Sequence, residues 1–150
     1  MAVDVTVEAR IERPVDEVAA FAGDPGNAPA WYVNIESVRW QTTRPLRVGS
    51  RMDFVATFLG RRIEYTYEVV DLVPGERLVM RTAQGPFPMQ TTYTWEPVEG
   101  GTRMTLRNNG SPSGFARVAA PVMELAMRRA MTKDLAALKR LLEDAGPTPR

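Results

Sequence analysis

From Phe115 to Glu143 the chain reads FARVAAPVMELAMRRAMTKDLAALKRLLE, its one long helical stretch. At about 100° per residue, Ala116, Ala120, Met123, Met127, Met131, Leu135, Leu138 and Leu142 fall on one side and Arg129, Lys133 and Arg140 on the other. A helix of that length reaches roughly 40 Å at about 1.5 Å per residue, more than a helix-on-helix contact in a small protein would cover. Such a stripe calls for a broad sheet. Pro121 has no N–H to give and its ring crowds the preceding turn. Either the helix kinks there or Phe115 to Ala120 is a separate short turn.

The residues before the helix supply the sheet. Val3, Val5, Val7, Ala9 and Ile11 alternate with Asp4, Thr6, Glu8 and Arg10, the period of a strand with one wet face. Pro14 opens a short helix, PVDEVAAFA, that Asp24-Pro25-Gly26-Asn27 breaks, and Ala28 to Tyr32 makes a second short turn. Further strands follow from Ile35 to Gln41, then through Met52, Phe54, Ala56 and Phe58, and after a Leu59-Gly60-Arg61 turn through Ile63, Tyr65, Tyr67 and Val69. Leu78, Met80 and Thr82 share the inward parity of the next strand, Met89, Thr91, Tyr93 and Trp95 that of another, and Thr102, Met104 and Leu106 that of the last. Asn108 to Gly114 reads as a polar loop, and the tail from Gly146 as disordered. Consecutive strands on short turns pair antiparallel. The expected architecture is α+β, a helix-grip arrangement: a curved seven-stranded antiparallel sheet wraps a long C-terminal helix, with two short helices between strands one and two. With no linker or repeat, residues 1–150 read as one domain.

Histidine and cysteine are both absent, which bounds the chemistry. Disulfides, thiolate nucleophiles, Cys/His zinc sites and imidazole acid–base mechanisms are excluded. No phosphate-binding loop, dinucleotide fingerprint or calcium-loop spacing occurs, so no cofactor, metal, nucleotide or covalent nucleophile is expected. Nineteen basic and eighteen acidic residues are interspersed, which leaves no footprint for nucleic acid. The N-terminal residues contain no signal-like apolar core, and nothing approaches the ~20 apolar residues of a membrane span. The expected compartment is the cytoplasm, without membrane insertion.

Several stretches, in this order, carry a resemblance: DPGNAPAWYVNIESV with Trp31, the LRVGSRM turn, VVDLVPGERLV and the YTWEPVEGGTRMTL hairpin. From about Val3 to about Leu142 the chain resembles the START/Bet v 1-like superfamily, specifically its bacterial polyketide cyclase/dehydrase-type branch. That resemblance implies a helix-grip fold with a large cavity between sheet and long helix, usually for a hydrophobic small molecule. It supplies no reaction, since the branch includes lipid binders, cyclases and aromatases.

Within that frame the candidate ligand-binding residues are Trp31, Tyr32, Met52, Phe54, Phe58, Tyr65, Tyr67, Met80, Phe87, Met89, Tyr93, Trp95, Met104, Asn108, Phe115, Met123, Met127 and Met131. The methionines suit either an adaptable pocket or a packed core. Buried phenols need partners for their hydroxyls, from backbone or from a ligand. Trp31, Phe87 and Phe115 are expected at the mouth. Tyr65, Tyr67, Tyr93 and Asp134 are the weak candidates for acid–base work; Asp134 and Glu124 lie on the edges of the apolar stripe, where shielding raises a carboxyl pKa. Three functions compete: binding of a hydrophobic, ring-containing small molecule, a polyketide aromatase/cyclase acting on a poly-β-keto chain, and a dimerising interaction module. The last would use a second stripe of Val118, Val122 and Leu125 as a homodimer contact.

Overall fold

The computed structural model describes residues 2–85, 88–111 and 119–145. Strand β1 (Val3–Ile11) leads to α1 (Val15–Ala22), a 3-10 turn (Pro25–Asn27) and α2 (Ala28–Trp31). Then come β2 (Ile35–Trp40), β3 (Arg51–Phe58), β4 (Arg61–Val73), β5 (Arg77–Gln84), β6 (Met89–Val98), β7 (Gly101–Gly110) and α3 (Ala120–Asp144). Pro14 precedes α1, where its fixed φ costs nothing, and Asp24 starts the 3-10 turn by accepting the Gly26 N–H at 2.9 Å. Leu59 and Gly60, both at positive φ, make the tight β3–β4 hairpin whose mirror-image turn matches strand twist.

The seven strands form one antiparallel sheet in the order β1-β7-β6-β5-β4-β3-β2, so the first strand pairs with the last. Extra residues at Glu36, Val70 and Ala83 break the register between β2 and β3 and twice between β4 and β5. Such bulges bend strands, and all three lie in the β2–β5 half of the sheet.

The concave face packs on α3 through Met123, Met127, Met131, Leu135 and Leu138, all buried. Side chains of α3 also lock the helix to the backbone of the sheet edge. Glu124 accepts the Asp4 N–H, Arg128 donates to the Thr6 carbonyl, Lys139 donates to that of Arg10, and Glu143 accepts the Glu12 N–H. The backbone groups of Asp4, Thr6 and Arg10 belong to the open side of the edge strand β1, so the helix hides a row that would otherwise template strand addition.

Two expectations require correction. Asn108 to Gly110 continue β7 rather than opening a loop, because their backbone is claimed on both sides, by Val3 to Val5 and by Met89 to Thr91. The helix begins at Ala120, with Pro121 in its first turn, where a missing N–H leaves no bond unmade. Phe115 to Val118, and the tail from Gly146, lie outside the described residues. No helix among the described residues is long and apolar enough to cross a membrane.

Candidate functional site

Between the curled sheet and α3 lies a cavity of about 150 Å³. The helix contributes Met123, Met127, Ala130, Met131 and Asp134; the α2–β2 junction contributes Tyr32, Asn34 and Ile35; the strands contribute the rest. Alternation explains the strand set. Phe54, Ala56 and Phe58 share one parity on β3, and Ile63, Tyr65 and Tyr67 share the facing parity on β4. Met80 and Thr82 do so on β5, Met89, Thr91 and Tyr93 on β6, and Asn108 on β7.

The aromatic lining is self-supporting. Phe54 and Tyr65 stack at 5.3 Å with their planes 8° apart, and Tyr67 meets both edge-on at 5.5 and 5.0 Å. Polar groups gather in two places. In one, the Tyr32 and Tyr93 hydroxyls are 2.6 Å apart, and Asp134 Oδ1 accepts the Val33 N–H at 2.9 Å. In the other, Thr91 donates to Asn108 Oδ1 at 2.6 Å while its oxygen is 2.8 Å from the Tyr67 hydroxyl. With the threonine proton committed to Asn108, Tyr67 is the donor to Thr91. Its own oxygen keeps lone pairs free.

Burial governs the electrostatics. Asp134 is only 2% exposed, and loss of solvent raises its carboxyl to about 7 against the pull of the Val33 N–H. Tyr32 and Tyr65 are pushed well above the ordinary phenol value, first by burial and then by neighbouring phenols and Asp134. Burial raises Tyr93 also and takes Tyr67 to about 12. All four phenols are neutral at any physiological pH, and Asp134 is the group of the described lining that changes charge near neutrality.

The structure brings Tyr32, Phe54, Phe58, Tyr65, Tyr67, Met80, Met89, Tyr93, Asn108, Met123, Met127, Met131 and Asp134 to this cavity. It sets four other candidates apart from the lining. Met52 and Met104 are fully enclosed in the core, and Trp31 and Trp95 pack against Tyr93, their indole N–H groups without a partner among the described residues. Trp31, 1% exposed, is therefore no mouth residue: α2 turns its ring under the Tyr32 and Tyr93 rings. Glu124 is not in the cavity lining; it accepts the Asp4 N–H at the sheet edge instead. Phe87 and Phe115 lie outside the described residues. Asn34, Ile35, Ala56, Ile63 and Ala130 line the cavity without having been singled out. Parity marked Ala56 and Ile63 as inward, but small and aliphatic side chains carry no chemical signal of a pocket. Among the described residues no three acidic side chains converge as a metal site would require.

The sequence matches the family model described as polyketide cyclase / dehydrase and lipid transport over residues 2–143. No curated protein sequence matches. Among solved structures, a protein from Thermus thermophilus superposes with a TM-score of 0.79 at 20% identity, covering 96% of this chain and 99% of its own. The Zhui aromatase/cyclase from a Streptomyces species gives 0.77 at 16% identity, covering 99% and 100%. A major latex-like protein from Panax ginseng gives 0.73 at 12% identity, covering 92% and 95%. At these identities the likeness concerns the fold.

Proposed function

The chain belongs to the polyketide cyclase/dehydrase and lipid transport family, and from that membership and its cavity we propose that it binds a hydrophobic molecule built on a single ring. The cavity volume carries this reading. An apolar hole of about 150 Å³ in another protein accepts benzene, so this one has room for a single ring. Its lining of methionine and aromatic side chains adapts to shape, and the two polar clusters orient whatever substituents the ring bears.

A second reading, cyclisation of a poly-β-keto chain, draws on Asp134, whose carboxyl near neutrality suits proton transfer. Volume favours the first. A ligand of drug-like length asks for roughly 300–1,000 Å³, more than the volume of this cavity.

The test uses toluene and benzyl alcohol in ligand-observed NMR and calorimetry, with wild type and Met127→Trp. Met127 faces the cavity from the middle of the α3 stripe, so the larger indole fills it. Saturable binding to wild type, lost in the variant at a stability change under about 1 kcal/mol, is the expected outcome. In a packed core the same substitution costs about 1–3 kcal/mol by overpacking. That cost, in a protein that binds neither compound, would refute the reading.

A further inference from the structure

Asp134 is the one charged side chain in the lining, since no lysine or arginine among the described residues reaches the cavity. It forms one hydrogen bond among those residues, from the Val33 N–H, and no ion pair. Carboxylates this buried are ordinarily paired with a cation, because desolvation is repaid only by an opposite charge and further donors. Among the described residues no cation takes that place, and Asp134 lines the cavity. Around it stand the rings of Tyr32, Tyr65 and Tyr93, with Phe54 stacked behind Tyr65. Ring faces are negative and attract cations, and phenol oxygens add lone pairs.

Each class of ligand meets this arrangement differently. An anion would be repelled by Asp134 and would find no cationic partner among the described residues of the lining. A neutral ring would fill the apolar part and leave the carboxyl as costly as before. A protonated amine would supply the missing charge. We infer that the cavity takes a monocyclic amine, its ammonium group against Asp134 among the tyrosine rings and its ring against Met127, Met131 and Phe58. This rests on the single-ring reading above and adds to it the charge of the ligand.

The titratable groups that face Asp134 are the phenols of Tyr32, Tyr65 and Tyr93, from the α2–β2 junction, β4 and β6, all neutral by burial. On its own helix, the neighbouring Lys133 is exposed. The pH dependence of amine binding therefore belongs to Asp134 and the amine. An ammonium binds the ionised carboxyl, so affinity rises up to tenfold per unit until about pH 7 and then levels off, falling only where the amine loses its own proton.

Benzylamine and benzyl alcohol differ in charge and hardly in size, which makes them the probes. Calorimetric titration of the wild-type protein at pH 8 is expected to show benzylamine at least about tenfold tighter. The advantage should shrink as the pH is lowered to 5. Asp134→Asn should erase the preference, bringing the ratio of the two dissociation constants near one. If benzyl alcohol binds and benzylamine is no tighter at any pH, the amine assignment is overturned while the single-ring reading survives. If neither binds, both fall. Should Asp134→Asn fail to fold, the wild-type pH series decides by itself.

Discussion

Asp134 titrates near 3.8 in an unfolded chain and about 7 in the fold, because burial penalises its charged form. Between those values the native state holds a proton that the unfolded chain has lost. Its contribution is therefore fully present below about pH 4 and disappears as pH rises through 7. At ~1.4 kcal/mol per unit the ceiling is about 4 kcal/mol. Asp4, Asp53 and Glu143 have the opposite sign, held down first by hydrogen bonds from Arg107, Thr66 and Lys139, and they act at more acid pH. Asp134→Asn should raise stability at pH 8 by about 2–4 kcal/mol and flatten the slope between pH 4 and 7. Urea unfolding at pH 4, 6 and 8 reads this directly, and an unaltered profile would contradict the assigned burial. The sequence located this residue on the edge of an apolar stripe. It could not reveal the Val33 N–H, a hundred residues distant in the chain, that fixes the carboxyl against the cavity.

At the scale of elements, what period-two and period-3.6 patterns encode was legible. The inward parity of Phe54, Tyr67, Met80, Tyr93 and Leu106 needed no tertiary information, because one face of every strand had to meet the helix. Bulges were not legible, since Val70 and Ala83 are ordinary strand residues whose displacement answers to the curvature of the whole sheet. Nor could the pattern separate core from cavity: Met52 and Met80 look alike by parity, yet only the second lines the opening. The two sides of α3 make a sharp comparison. Leu138 is fully enclosed and Leu125 is 51% exposed. Leu138→Ala should cost about 2–5 kcal/mol, and Leu125→Ala should stay within about 0.5 kcal/mol. Thermal and urea unfolding of the two variants check the helix orientation, and similar losses in both would refute it.

For the whole molecule, a cavity inside the main core couples ligand to global stability, because its walls are the same side chains that join sheet to helix. A ligand bound only by the native state, present at a hundred times its dissociation constant, adds about 2.7 kcal/mol. For a chain of this length that corresponds to a rise of about 5–10 °C in Tm. Scanning calorimetry with increasing benzylamine or benzyl alcohol should show that concentration-dependent rise, and saturable binding without it would place the ligand elsewhere. The pairing of β1 with β7 bears on how the molecule comes into being. Val3 lies opposite Gly110, so the first strand made must await the last. At roughly 5–20 residues per second of synthesis that wait is about 5–20 seconds. During it, Val3, Val5 and Val7 remain without a neighbour, and the charges of Asp4, Glu8 and Arg10 on the same strand oppose premature association. Closure of the sheet is thus a late, long-range event, and the nascent chain completes its fold only after β7 has emerged.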